Sequence, residues 1–145
     1  MIKPVEIAVS LFDQGFSCSQ SVFSAFAPRF DIPQELALRL GAPFGGGIAR
    51  QGEVCGAVTG ALMVLGAKFG YLKPQDRDAT YAVVQEFIRR FKERHSSILC
   101  RELIGYDLSI PGELDRVNES GVCEEKCPVF VKNAVEITTL MLENK

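Results

Sequence analysis

The fold of this chain is most readily predicted from residues 54–67, which read VCGAVTGALMVLGA and carry no charged side chain. A helix needs about 20 apolar residues to cross a bilayer. This segment is shorter, so we interpret it as a buried helix. Gly56 and Gly60 would let another backbone approach closely, within the chain or between two copies. The sequence therefore predicts a central helix here and leaves a homodimer open.

Apolar side chains recur at helical spacing on both sides of this segment. Helices are predicted at residues 4–14, at 18–30 behind the N-cap residue Ser17, from Pro33 to Gly41, from Pro74 to Arg94, at 98–104, and from Cys127 onward. No segment shows the alternation of a strand. We expect an all-α fold, a compact single-domain helical bundle over residues 1–145 with about five main helices plus short helical turns.

Composition narrows the class of protein. With 145 residues, 47% of them hydrophobic, the chain can bury one sizeable core. A net charge of −2 provides no basic surface for a phosphate backbone, so nucleic acid is not an expected partner. The N-terminal residues do not resemble a secretory signal and no transmembrane segment is predicted, so we expect a cytoplasmic protein.

Five cysteines are the main candidates for chemistry: Cys18, Cys55, Cys100, Cys123 and Cys127. In a chain without a secretory signal, such cysteines are typical of reduced, metal-bound or redox-cycled thiols rather than of a disulfide framework. Cys18, Cys55 and Cys127 each fall in the first turn of a predicted helix, where free N–H groups and the helix dipole favour a thiolate.

Cys127 is followed by Pro128, which fits the first position of a helix and makes Cys127 its predicted cap. Cys123 and Cys127 form a CxxxC pair that could bridge a metal on one helix, but the same proline argues against a continuous helix through both. The chain has no CxxC motif of the thioredoxin or zinc-ribbon type. Any shared site must therefore be assembled by the packing of helices.

A glycine-rich stretch, GAPFGGGIARQGE at residues 41–53, leads into the central helix. Gly45, Gly46, Gly47 and Arg50 are candidate cofactor-binding residues, because consecutive backbone amides can form an anion nest. The stretch lacks the lysine of a nucleotide-binding P-loop, so nucleotide binding is disfavoured. We interpret it instead as a tight loop that positions Cys55. Arg50 could also stabilise a thiolate at Cys55.

The order of these motifs resembles a known family. Cys18 lies in an early helix, Cys-Gly-Ala-Val-Thr-Gly follows at residues 55–60, Cys100 precedes Arg-Glu-Leu, and Cys127 precedes a proline. This pattern resembles the redox-active C_GCAxxG_C_C family from about Gly15 onward. The resemblance implies a small prokaryotic protein of redox function, with a redox partner or transporter-associated partner and, in some members, an Fe–S cluster.

Three functions follow from these observations. In the first, a thiol-based oxidoreductase, a thiolate such as Cys55 attacks and a second cysteine resolves the product to a disulfide, with catalytic candidates Cys18, Cys55, Cys100 and Cys127. In the second, the same four thiolates hold an Fe–S cluster or another metal ion for electron transfer. In the third, a non-catalytic helical module binds a partner and its cysteines fill the core.

Overall fold

A computed structural model describes residues 3–143 of the chain, and this part is helical. It contains eight α-helices: α1 (Pro4–Asp13), α2 (Cys18–Phe26), α3 (Gln34–Gly41), α4 (Gly56–Phe69), α5 (Arg77–His95), α6 (Cys100–Ile104), α7 (Glu113–Ser120) and α8 (Val122–Glu143). Three short 3₁₀ turns accompany them, at Ala27–Phe30, Ala42–Phe44 and Pro74–Asp76. Among the described residues the only β-type pairing is an isolated bridge between Val54 and Leu99. The all-helical prediction is confirmed, although eight helices form where about five main ones were expected.

The central helix is α4, as the sequence predicted. It packs against α2, α5 and α8, and Ala57, Val58 and Ala61 on it are completely buried. A Cβ atom on Gly60 would lie 2.8 Å from the carbonyl oxygen of Ser19 in α2, and one on Gly56 would lie 2.9 Å from the Ser19 nitrogen. The close approach that these glycines permit is therefore a contact within the chain.

Helix α7 was not predicted from the sequence. It is mostly polar, and Val117 is its one buried residue. Its limits are set by Gly112 and Gly121, which both adopt positive φ values, 89° and 72°. Because a single buried side chain gives little periodicity, the segment resembled a loop.

The predicted start of the last helix was wrong. Helix α8 begins at Val122, directly after Gly121, and Pro128 lies inside it. A proline there removes one helical N–H, which costs stability. The buried side chains of Val122, Cys127 and Phe130 pack the turns on both sides of the proline into the core and offset that loss. Cys127 is thus an interior residue of a continuous helix and not its cap.

None of the helices in the described part of the chain is both long and apolar enough to span a membrane.

Candidate functional site

All five cysteines line one cavity of about 300 Å³. They reach it from four places in the fold: the start of α2, the residue before α4, the start of α6, and the first two turns of α8. Apolar side chains complete most of the wall, among them Phe12, Phe16, Leu103, Leu108, Val117 and Phe130. The structure therefore brings together the four cysteines singled out in the sequence and adds Cys123 to them.

Cys18 is positioned by a capping box at the start of α2. The Ser17 side chain accepts a hydrogen bond from the Gln20 N–H, and the Gln20 side chain accepts one from the Ser17 N–H at 3.0 Å. The neighbouring Ser19 hydroxyl donates to the Gly41 carbonyl oxygen at 2.7 Å. These bonds fix Cys18 as the first residue of its helix and tie that turn to the end of α3.

Backbone hydrogen bonds join the segment before Cys55 to the segment before Cys100. The Cys55 N–H donates to the Ile98 carbonyl oxygen at 2.7 Å, and the Cys100 N–H donates to the Glu53 carbonyl oxygen at 2.7 Å. Cys55 is the N-cap of α4 and Cys100 is the first residue of α6. Two residues at helix starts are thereby held side by side against the cavity.

The glycine-rich stretch forms a left-handed turn beside them. Residues 46–50 all have positive φ values, between 49° and 71°, although three of them are Ile48, Ala49 and Arg50. A Cβ atom on Gly47 would lie 2.7 Å from the Cβ of Cys100, so only glycine fits there. Each non-glycine residue in this conformation costs about 1–2 kcal/mol. Hydrogen bonds from the Arg50 and Glu53 N–H groups back to Gly45 and Gly47 help to hold the turn.

Of the four candidate cofactor-binding residues in this stretch, the structure places Gly46, Gly47 and Arg50 in the cavity wall. Gly45 packs on Ser17 instead of lining the cavity, and a Cβ atom added to Gly45 would lie 3.0 Å from the Cβ of Ser17. Arg50 is exposed at the rim.

Cys123 and Cys127 lie one helical turn apart on α8, with their sulfur atoms 3.1 Å apart. One thiol donates a hydrogen bond to the other. Cys18 lines the same cavity, and the thiols of Cys18 and Cys127 each influence the pKa of the other. The sequence reasoning noticed the CxxxC spacing but left Cys123 out of its set of four cysteines, because Pro128 was taken as the helix start.

Burial raises the pKa of the Cys55 and Cys100 thiols. The pKa of Cys55 rises to about 12, because the desolvation of a thiolate outweighs the stabilising N–H groups of Ala57 and Val58. The pKa of Cys100 rises to about 11, again chiefly through burial. The expectation that a helix start would favour a thiolate at Cys55 is therefore wrong, and Arg50 is not among the largest influences on that thiol.

The pKa values of the other three thiols also lie above the ordinary value of 9.0. For Cys18, the interaction with Cys127 lowers the pKa, but burial and the neighbouring thiols raise it more. For Cys123, the hydrogen bond with Cys127 and burial both raise the pKa. For Cys127, the contact with Cys123 lowers the pKa, while the contact with Cys18 and burial raise it further. At neutral pH the cluster is a set of protonated thiols.

All five cysteines are free, and none is in a disulfide. Among residues 3–143, no group of three or more histidine, cysteine, aspartate or glutamate side chains is arranged so that it could hold a metal ion. The four-cysteine metal site considered from the sequence thus has no preformed ligand geometry in the described part of the chain.

The fold and the site together define a small all-helical protein with a cluster of thiols around an apolar cavity. The family model described as "Putative redox-active protein (C_GCAxxG_C_C)" matches residues 16–141. The chain belongs to this family, and the resemblance drawn from its motifs is confirmed. A comparison with curated proteins found no match, and neither did a comparison with solved structures.

Proposed function

We propose that the protein is a thiol-based oxidoreductase whose clustered cysteines cycle between the dithiol and disulfide states. The main support is the clustering of the cysteines, since Cys18 and Cys127 line the same cavity and Cys127 is buried in its wall. Membership of a family described as redox-active agrees with this function.

The proposed reaction oxidises two thiols and reduces one disulfide. The Cys18 thiolate attacks a sulfur of a partner disulfide, forms a mixed disulfide and releases one partner thiolate. Cys127 then attacks the Cys18 sulfur, which closes the Cys18–Cys127 disulfide and releases the second partner thiolate. Two protein thiols are lost and two partner thiols are gained, so electrons and protons balance. The reverse sequence reduces the protein.

Cys18 is a better entry point than Cys55, which the sequence favoured. Cys18 is only partly buried, whereas Cys55 is 5% exposed and its pKa is about 12. Only the thiolate attacks, so a deeply buried thiol reacts slowly with an outside partner. In the proposal Cys55 and Cys100 supply a second dithiol on the inner side of the cavity.

The partner would present a disulfide together with an anionic group. The exposed Arg50 guanidinium at the rim supports this assignment, since it supplies a positive charge beside an otherwise apolar opening. The cofactor-binding role expected for Gly45, Gly46, Gly47 and Arg50 stays a prediction. Five free thiols also favour a reducing compartment, the cytoplasm.

The test is disulfide mapping after oxidation. The reduced protein is incubated anaerobically with glutathione disulfide, its free thiols are alkylated, and its peptides are mapped by mass spectrometry. We expect a Cys18–Cys127 linkage that is absent from Cys18→Ser and Cys127→Ser, while Ser24→Ala, a buried change outside the cavity, keeps it. Five alkylated thiols in the treated protein would show that the cluster does not cycle.

A metal centre is the second candidate, because four thiolates are the usual ligand set of an Fe–S cluster and the cavity gathers that many cysteines, although they would have to move into a ligand arrangement that residues 3–143 do not show. Cys18, Cys55, Cys100 and Cys127 would hold it, and it would supply one-electron transfer. Visible absorption and iron and sulfide analysis of protein purified without oxygen test this. Protein with neither metal nor oxidisable thiols would instead support the non-catalytic binding module.

A further inference from the structure

Cys127 lies against a second cysteine besides Cys18, which is proposed above as its disulfide partner. Cys123 precedes it by four residues on the same helix, and their sulfur atoms are 3.1 Å apart. Thiols in contact need only a small movement to exchange a disulfide bond, because exchange requires one sulfur to approach another. Cys127 is therefore in contact with Cys123 and shares the cavity with Cys18, so either thiol is a candidate for a bond with it.

The two neighbours differ from Cys127 in access to solvent. Cys127 is 7% exposed, whereas Cys18 and Cys123 are only partly buried. Cys18 lies at the start of α2, and Cys123 lies in the first turn of α8, next to Gly121. The two more accessible thiols therefore lie on different helices of the cavity wall.

The first turns of α8 are held more weakly than an ordinary helix interior. Pro128 has no N–H, so the carbonyl oxygen of Glu124, the residue after Cys123, lacks the helical hydrogen bond it would otherwise accept. Disulfide-bonded cysteines need Cβ atoms closer together than the about 5–6 Å that separates residues four apart on a helix. The proline therefore weakens α8 where a bond between Cys123 and Cys127 would require it to distort.

We propose, on the basis of the redox function above, that Cys123 is the second partner of Cys127 and takes over its disulfide bond from Cys18. The Cys123 thiolate attacks the Cys127 sulfur of the Cys18–Cys127 disulfide. A Cys123–Cys127 bond forms, the Cys18–Cys127 bond breaks, and Cys18 leaves as a thiolate that takes up the proton lost from Cys123. The exchange needs no external oxidant. Because the new bond strains the helix, it is readily reduced by an outside thiol.

Disulfide mapping of three proteins tests this exchange. Reduced wild type, Cys123→Ser and Cys18→Ser are each treated with glutathione disulfide, quenched in acid and mapped by mass spectrometry. We expect both linkages in wild type, only Cys18–Cys127 in Cys123→Ser, and much less Cys123–Cys127 in Cys18→Ser than in wild type, because that variant lacks the disulfide from which the bond is taken over. Cys123→Ala is a second variant at the same site, and thermal unfolding checks that every variant is folded.

The result separates this inference from the function on which it rests. A Cys18–Cys127 linkage without any Cys123–Cys127 linkage in wild type overturns the exchange and leaves the redox function intact. The absence of both linkages overturns both. Pro128→Ala provides a further check, since it restores an N–H to the helix, and we expect a smaller share of the Cys123–Cys127 linkage than in wild type. An unchanged or larger share would contradict the part assigned to the proline.

Discussion

The thiols of Cys55 and Cys100 lie against apolar side chains, and this environment favours their neutral form. Because only a thiolate is alkylated, the reaction of Cys100 with iodoacetamide should follow its raised pKa of about 11. We expect the rate to rise about tenfold per pH unit between about pH 7 and 10 without levelling off. The chain unfolded in guanidinium chloride is the control, and its rate should level off near the ordinary pKa of 9.0. A plateau below about pH 8 in the folded protein would contradict the raised pKa.

Gly47 is the residue at which space and backbone conformation both require glycine. Gly47→Ala should place a Cβ 2.7 Å from the Cys100 Cβ in a backbone of φ +71°. Gly105→Ala is the matched control, because Gly105 has φ +78° but no atom within 4 Å of an added Cβ. We expect a loss of about 1–2 kcal/mol in the control, from backbone strain alone. Gly47→Ala should lose a further 1–3 kcal/mol or so from overpacking. Urea unfolding measures both, and equal losses would show that the crowding of an added Cβ against Cys100 and the Glu53 backbone is unimportant.

The helix α4 contains two interior glycines in opposite surroundings. A Cβ on Gly60 would lie 2.8 Å from the Ser19 carbonyl oxygen, whereas a Cβ on Gly66 would meet nothing within 4 Å. Gly60→Ala should therefore lower the free energy of unfolding by about 1–3 kcal/mol, because α2 and α4 must separate. Gly66→Ala should raise it by about 0.5–1 kcal/mol, since alanine is the better helix former. Denaturant unfolding of both variants checks this, and a shift of the same sign in both would refute the assigned contact.

The alkaline stability of the whole molecule should depend on Cys55. Its pKa is about 12 in the folded protein against 9.0 ordinarily. The burial of the neutral thiol therefore stabilises the fold fully below pH 9.0, and this contribution is lost as the pH rises towards about 12. The loss should be on the order of 3 kcal/mol by about pH 11. Cys55→Ala lacks the titrating thiol, so its deficit relative to wild type at pH 8 or so should shrink at the higher pH. A deficit that does not change with pH would contradict the assignment.

The features that could be predicted from sequence are those set by neighbouring residues. Ser17 with Gln20 specifies the start of α2, and the glycines of α4 specify a close helix contact. The start of α8 could not be predicted, because the burial of Val122 and Phe130 outweighs the local effect of Pro128. The state of the Cys55 thiol could not be predicted either, since it depends on what the rest of the chain places around it. The start of α8 and the protonation state of Cys55 both depend on packing against residues distant in the sequence.

The cavity also has a consequence for biosynthesis. Cys18 and Cys127 come from opposite ends of the chain, so the cavity that both line is completed only when most of the polypeptide has left the ribosome. Until then the earlier cysteines emerge uncovered, and each is exposed to whatever oxidants the compartment contains. Premature pairing of Cys18 with Cys55 or Cys100 would trap a misfolded product. Maturation therefore depends on the order of synthesis and on surrounding thiols that keep the emerging cysteines reduced.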